Sequence, residues 1–282
     1  MKSIEEITKI LSNRLQSCDL CPNRCGCNRL LGQKGLCNNT DTPAIYQHFL
    51  HAGEEITLVP AFIINMSGCS LSCPTCSESC RFGKNILPVI CAEKYAQAMV
   101  EYFKRHGMPK SIEWIGGEPS TQIHFVLETS WYLKKLGVSV PIYLNTNAYF
   151  DVALLDLMHG IIDGFVFDLK CSESCQNITG GFSNYYNTAT QVITRAINEF
   201  EGGHILRHLV MPGHVECCTK PIIDWCRIHI PNVIFNLMTT FHDFRPDATI
   251  FSLPDCDAAK SIELAKSAGL TNLMINGNYI NR

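Results

Sequence analysis

The sequence lacks the features of a membrane-embedded, exported or nucleic-acid-binding protein. No run of about 18 apolar residues occurs, so we expect no membrane-spanning helix. The N-terminal stretch carries Glu5 and Glu6 and no long apolar segment, so we expect no signal peptide. The net charge is −3 and the pI is about 6.4, which gives no positive field to attract nucleic acid or anionic membranes. The sequence predicts a cytoplasmic protein with no membrane partner and no strong signal for nucleic acid.

Cysteine, by contrast, is abundant, with 16 among 282 residues. A small secreted disulfide scaffold is disfavoured by the length, the 46% hydrophobic content and the clustered C-x2-C spacings. Many unpaired thiols fit a reducing interior and suggest an oxygen-poor organism or compartment.

Three cysteines, Cys69, Cys73 and Cys76, share one predicted loop after an apolar run over residues 56–66. Converging thiolates select zinc or an iron–sulfur cluster. A [4Fe–4S] cluster normally takes four thiolates, so a cluster held by three keeps one iron open to a ligand. Cys80 leaves a structural, fully ligated zinc or cluster site as the alternative.

A second group of five cysteines follows a predicted amphipathic helix over residues 3–16, which Ser3 can cap. This segment is too short to have a core of its own, and a metal is the natural staple in a reducing compartment. The predicted ligands of zinc or an auxiliary cluster are Cys18, Cys21, Cys25 and Cys37, with Cys27 as a substitute. Residues 38–54 are polar and predict a linker, which gives a metal-stapled N-terminal module over residues 1–54.

Residues 55–282 alternate short apolar strands with helical patterns. This rhythm predicts a mostly parallel sheet with helices outside. Six or so repeats are too few for a closed eight-stranded barrel, so we expect a partial, open TIM-type (β/α)6 barrel. In barrels the chemistry collects where strands end.

Polar side chains follow four of the later predicted strands. Glycines let a ligand approach the backbone, amides can bind hydroxyl or carboxylate groups, and Asp168 and Lys170 share one strand face. Each set also has a plainer interpretation, as a βα turn, an Asn-rich turn, a salt bridge or a structural histidine. The candidate cofactor-binding residues are Gly116, Gly117, Glu118, Asn145, Asn147, Asp168, Lys170, Arg207 and His208.

The cysteine loop resembles the C-x3-C-x2-C signature of the radical S-adenosylmethionine (SAM) enzymes. The GGEP sequence at residues 116–119 is similar to that family's SAM-amino contact, and Asp168-Leu-Lys170 resembles the D-x-K of glycyl-radical-enzyme activases. The N-terminal cysteines look like the head of the pyruvate formate-lyase activating enzyme-like branch. The family usually has an aromatic residue before the third cysteine, near the adenine, where this chain has Thr75.

The resemblance implies a [4Fe–4S] cluster whose open iron binds SAM and cleaves it to a 5′-deoxyadenosyl radical. The predicted substrate is a protein or peptide, as for a glycyl-radical activase, and the predicted electron donor is flavodoxin- or ferredoxin-like. The alternatives are a small-molecule or RNA substrate, or a non-catalytic iron–sulfur or zinc protein. No catalytic side chain is assigned. Among the remaining cysteines, Cys171-x3-Cys175 is the best candidate for further metal binding.

Overall fold

A computed structural model describes residues 2–78, 83–88, 91–182, 184–243, 245 and 247–280. Within these residues, nine strands form one sheet in chain order. The strands are β1 (Ile45–His51), β2 (Ala61–Met66), β3 (Ser111–Gly116), β4 (Ile142–Thr146), β5 (Gly164–Asp168), β6 (Ile205–Leu209), β7 (Ile234–Met238), β8 (Leu273–Ile275) and β9 (Asn278–Tyr279).

Strands β2 to β8 are parallel, whereas β1 and β9 pair antiparallel at the two edges. Within the described residues β1 and β9 do not pair with each other, so the sheet is not closed. The prediction of a partial barrel is confirmed. Strands β2 to β7 are the six of the predicted barrel, and β8 is the last strand, which the sequence predicts near residues 271–275.

The described residues include seven α-helices, which connect the strands or precede them in the chain. They are α1 (Ile4–Gln16), α2 (Ala92–His106), α3 (Ile123–Lys135), α4 (Leu155–Met158), α5 (Tyr185–Glu199), α6 (Lys220–His229) and α7 (Asp255–Ser267). Outward-facing strand residues such as Trp114 and Phe165 are fully buried beneath them. None of the described helices is both long and apolar enough to cross a bilayer.

Helix α1 begins where the sequence predicts. The Ser3 hydroxyl accepts a hydrogen bond from the Glu6 amide at 3.3 Å, and the Glu6 carboxylate accepts one from the Ser3 amide at 2.9 Å. This capping box satisfies amides that the first helical turn leaves unpaired. Its apolar face buries Ile7, Leu11 and Leu15 in the same core as the barrel helices.

The prediction of an irregular linker over residues 38–54 is wrong for residues 45–51, which form β1. This edge strand takes its backbone hydrogen bonds from β2, with Phe49 opposite Ile63. Its polar residues, such as Gln47, lie on the less buried side, which makes an edge strand look like a linker in sequence. The domain boundary between residues 54 and 55 stays a prediction.

The inside of the barrel is filled at its amino-terminal end. Leu58, Tyr143, Val166 and Ile205 form an apolar cluster there. Because this end is packed, the space for a ligand lies at the carboxyl ends of the strands.

Candidate functional site

A cavity of about 320 Å³ opens at the carboxyl ends of β2 to β7. Its wall combines the cysteine loop, polar strand ends and apolar side chains. Among the lining residues are Cys69, Cys73, Thr75, Cys76, Gly116, Gly117, Asn145, Asn147, Asp168, Lys170, Arg207, Met211 and Met238. Seven of the nine candidate cofactor-binding residues therefore line one cavity, and Glu118 and His208 do not.

The three cysteines of the loop share this cavity. The Cys69 sulfur accepts hydrogen bonds from the Leu71 amide at 3.4 Å and from Asn147 Nδ2 at 3.6 Å. Burial raises the pKa of the Cys69 and Cys73 thiols, so binding of a metal centre would have to displace their protons. Hydrogen-bond donors that contact a cysteine sulfur stabilise its thiolate form when a metal replaces the proton.

The three sulfurs of this loop do not all lie within 4.8 Å of one another. In the described part of the chain, metal-ligating atoms gather within 4.8 Å of one another at two other places, and not at this loop. In a cluster each thiolate binds its own iron, so the sulfurs stand further apart than around one zinc ion. Cys80, the alternative fourth ligand, lies outside the described residues.

The GGEP turn is braced against the cysteine loop. The Gly117 amide donates to the Met66 carbonyl at 2.7 Å, and the Glu118 amide donates to the Gly68 carbonyl at 2.8 Å. A Cβ on Gly117 would lie 2.0 Å from the Gly68 carbonyl oxygen, so a side chain cannot fit there. Glycine at this position allows two strand-end loops to touch.

The buried Glu118 carboxylate links the ends of two neighbouring strands at the site. It is fully buried and accepts hydrogen bonds from Thr146 Oγ1 at 2.7 Å, the Asn147 amide at 2.8 Å and the Ser120 amide at 3.0 Å. Its oxygens are thus used by the end of β4 and the turn after β3. In this structure Glu118 orders the strand ends instead of facing the cavity.

Asp168 and Lys170 form the charged pair that does face the cavity. Lys170 Nζ lies 2.7 Å from Asp168 Oδ2, and both side chains are about one third exposed. Burial alone would raise the pKa of Asp168 and lower that of Lys170, but their mutual attraction outweighs it and keeps both charged. A ligand carrying both an ammonium and a carboxylate finds matching charges here.

Arg207 and His208 on β6 are committed to other partners. The Arg207 guanidinium pairs with the carboxylates of Glu54 and Glu55, contacting the latter through two bonds of 2.6 Å. His208 lies between the Leu169 carbonyl at 2.9 Å and the Thr219 hydroxyl at 3.1 Å. Burial lowers the pKa of His208 to about 4, so the ring is neutral near pH 7.

The sequence analysis missed Tyr185, which joins two strand ends. Its buried hydroxyl accepts from the Lys170 amide at 2.9 Å and lies 3.1 Å from the Asn147 carbonyl and 3.0 Å from the Asp168 carbonyl. Tyr185 is the first residue of α5 and resembles any core tyrosine in the sequence. Only the fold brings its hydroxyl beneath the two candidate loops.

The N-terminal segment lies directly against the cysteine loop. Asn23 Nδ2 donates to the Ser70 carbonyl at 2.8 Å, and Arg29, which is buried, donates to the Thr121 carbonyl after the GGEP turn. A Cβ on Gly68 would lie 2.3 Å from the Cys37 carbonyl oxygen. The predicted module therefore packs against the loops that form the candidate site.

The five N-terminal cysteines lie near one another. Burial raises the pKa of Cys21 to about 12, with smaller contributions from the neighbouring thiols of Cys37, Cys18 and Cys25. Burial also raises the pKa of the Cys27 thiol, and the neighbouring thiols of Cys18 and Cys25 raise it further. Their choice of zinc or an auxiliary cluster stays a prediction with both alternatives open.

Sequence comparison finds a relative along nearly the whole chain. No protein-family model matches. An uncharacterized protein of Methanocaldococcus jannaschii is 30% identical over 278 residues, which is 93% of this chain and 78% of the archaeal protein. The chain belongs to the family of this archaeal protein.

Structural comparison identifies the fold. A radical SAM methyltransferase from Sphaerobacter thermophilus has a TM-score of 0.58 and 13% identity, covering 77% of this chain and 66% of that structure. Streptococcus suis SuiB bound to S-adenosylmethionine has a TM-score of 0.53 and 12% identity, covering 73% of this chain and 47% of its own. The chain therefore shares its fold with these two radical SAM structures.

A third structure of the same fold is native anSMEcpe with bound AdoMet and the Kp18Cys peptide. Its TM-score is 0.53 at 13% identity, with 73% of this chain and 59% of that structure covered. The chain thus spans about half to two thirds of the length of these solved structures. The predicted fold is confirmed, and the finer resemblance to the pyruvate formate-lyase activating enzyme-like branch stays a prediction.

Proposed function

We propose that this protein is a radical SAM enzyme that holds a [4Fe–4S] cluster on Cys69, Cys73 and Cys76 and SAM in the adjoining cavity. The observation that carries the proposal is that three thiols of one loop share a cavity with the oppositely charged pair Asp168 and Lys170. When bound, the cluster supplies one electron that cleaves SAM to methionine and a 5′-deoxyadenosyl radical, which takes a hydrogen atom from the substrate.

The chain's own residues would bind and orient SAM. Lys170 carries a charge that suits the carboxylate of the methionine part, and Asp168 one that suits its ammonium group. Gly116 and Gly117 leave backbone groups accessible at the cavity wall, and Asn145 adds an amide.

Apolar side chains form the rest of the wall and would exclude water. Leu71, Ile178, Leu209, Met211 and Met238 line the cavity around its polar groups. A dry wall protects a reactive radical from side reactions, which is a general function of enclosed active sites. Thr75 also lines the cavity, at the position where the resemblance expects an aromatic ring beside the adenine.

We include a protein or peptide substrate in the proposal, with a glycyl-radical activase-like reaction as its most specific form. Two structures of this fold support it: SuiB bound to the precursor peptide SuiA, and anSMEcpe with the Kp18Cys peptide. An open sheet leaves a side through which a macromolecular loop can enter. The proposed reductant is a flavodoxin- or ferredoxin-like protein.

Anaerobic reconstitution with iron and sulfide, followed by SAM and dithionite, tests the reaction by the release of 5′-deoxyadenosine. We expect Cys69→Ala, Cys73→Ala and Cys76→Ala each to abolish the product. Cys256→Ala, which alters an exposed cysteine at the start of α7 that does not line the cavity, should retain it. A cluster that never cleaves SAM would favour an iron–sulfur carrier, and zinc at both cysteine groups would favour a binding module.

A further inference from the structure

A separate set of metal-ligating side chains lies in the segments that follow β5 and β6. Cys175 Sγ is 3.2 Å from Cys217 Sγ and 3.6 Å from His214 Nδ1, and Cys217 Sγ is 3.4 Å from the same nitrogen. All three ligand atoms therefore converge on one point. None of these residues lines the cavity described above.

We propose that Cys175, His214 and Cys217 bind a thiophilic divalent cation, with zinc as the natural occupant. Zinc bonds of about 2.3 Å to sulfur and about 2.0 Å to nitrogen place neighbouring ligand atoms of a tetrahedron about 3.5–3.8 Å apart. The two sulfur-to-nitrogen separations, 3.6 Å and 3.4 Å, match these values, and the 3.2 Å between the two sulfurs would widen by about half an ångström around the ion. Two thiolates and one imidazole are a donor set that favours zinc over hard cations such as magnesium.

Irregular backbone segments position these ligands. His214 immediately precedes a π-helical segment, Val215–Thr219, and Cys217 lies within it. Cys175 lies at a kink in the 3-10 segment Glu173–Thr179, with φ −118° and ψ 34°. Such irregular turns re-aim side chains and are frequent at functional sites.

Direct hydrogen bonds join the two segments beside the ligands. Ser172 Oγ donates to the Cys217 carbonyl at 2.6 Å, and Ser174 Oγ donates to the same carbonyl at 2.8 Å. These bonds hold the two segments together independently of the ligand side chains, which lowers the ordering cost of binding a cation.

The fourth coordination position would face solvent. Cys217 is exposed whereas Cys175 is buried, so the set spans from the interior to the surface. The neighbouring Cys218 is buried, and its sulfur accepts a hydrogen bond from the Ser172 amide at 3.3 Å. We assign the fourth position to water, as in zinc sites that have three protein ligands.

A cation here would stabilise a loop that touches the cluster loop. The segment that carries Cys175 continues to Thr179, whose carbonyl accepts from the Ser72 amide at 3.3 Å. A Cβ on Gly180 would lie 2.3 Å from Ser72 Oγ, so these two loops are in close contact. The cation would thus hold in place the segment around Thr179 and Gly180, which packs against Ser72 between Cys69 and Cys73.

Zinc content per chain tests the proposal in the full-length protein. Samples are purified without oxygen in a phosphine reductant, loaded with zinc, freed of loosely bound metal and measured by mass spectrometry of the element. We expect Cys217→Ser and His214→Gln each to lose about one zinc per chain relative to wild type. Cys256→Ser is the matched control, an exposed cysteine outside the set, and should lose none.

Both test variants alter partly exposed side chains, and circular dichroism checks that they fold. Cobalt in place of zinc gives a second readout, because the thiolate-to-cobalt charge-transfer band should weaken in Cys217→Ser and not in Cys256→Ser. Equal zinc in all four proteins would overturn the proposal. A Cys175–Cys217 disulfide in peptide maps of the oxygen-free protein would overturn it too. Neither result depends on whether the protein cleaves SAM.

Discussion

The ends of β3 and β5 each carry an acid that the sequence predicts to contact the same ligand, yet the two acids differ in what surrounds them. Glu118 is fully buried, and three donors of the chain bind its oxygens. Asp168 is partly exposed, pairs with Lys170 and lines the cavity. A motif marks the place of a site, whereas burial and local donors decide which residue shapes it and which meets the ligand.

Removing the buried acid should have the largest effect on stability. Glu118→Ala leaves Thr146 Oγ1 and the amides of Ser120 and Asn147 without their acceptor in the interior. Each unsatisfied buried donor costs about 1–3 kcal/mol, so we expect the three together to lower the free energy of unfolding by at least about 3 kcal/mol. Urea denaturation measures it, and Asp168→Asn is the control. Equal losses in the two variants would contradict the distinction between the two acids.

Removing the charge that faces the cavity should act on binding. Lys170→Met keeps the aliphatic stem but leaves Asp168 without its cation, so we expect SAM affinity to fall at least tenfold, or about 1.4 kcal/mol. Equilibrium dialysis of the reconstituted protein measures this. The comparison variant, Lys220→Met, removes an exposed lysine outside the cavity and should bind SAM normally. Unchanged affinity in Lys170→Met would remove the pair from the site.

His208 should affect acid stability. Its pKa is about 4 when folded against about 6.5 when unfolded, so the unfolded chain binds the extra proton between these values. Its stabilising contribution is complete above about pH 6.5 and is lost as the pH falls towards 4, at about 1.4 kcal/mol per pH unit. His208→Gln should reduce that slope in denaturation curves. An unchanged slope would show that His208 is not buried as a neutral ring.

The smallest effect is expected from the amide beside Cys69. Asn147→Ala removes a donor 3.6 Å from the Cys69 sulfur, and donors to cluster sulfurs favour the more negative, reduced state. The reduction potential should therefore fall, by up to about 60 mV for one hydrogen bond of about 1.4 kcal/mol. Anaerobic redox titration followed by electron paramagnetic resonance measures it. A rise in potential would contradict the contact.

The sequence predicts the barrel well because its strands and helices have clear periodicity. Strand β2 is apolar at five of its six residues, and α2 ends at Gly107 as its pattern predicts. Strand β1 is not predicted from the sequence because it is an edge strand with a polar face and has no such apolar run. Local hydrophobic patterns indicate which face of an element is buried, but they do not identify pairing partners far along the chain.

The candidate site is predicted in place but not in detail. Because the carboxyl ends of parallel strands lie at one edge of the sheet, the sequence predicts that Asn145, Asp168 and Lys170 share one cavity, and in the structure they do. The sequence does not predict that Arg207 would be bound by Glu54 and Glu55, because those carboxylates lie about 150 positions earlier in the chain. The spacing of the cysteines in the sequence also does not predict the contact between Cys175 and Cys217. These residues meet because their loops follow β5 and β6, which are neighbours in the sheet.

Electron paramagnetic resonance of the dithionite-reduced protein, recorded with and without SAM, tests the central claim most directly. A [4Fe–4S] cluster held by Cys69, Cys73 and Cys76 has one iron open to a ligand, so we predict that SAM changes the spectrum. The change should be lost in Cys73→Ala and kept in Cys80→Ala. A cluster signal that SAM leaves unchanged, or one that survives Cys73→Ala and disappears in Cys80→Ala, would contradict the account.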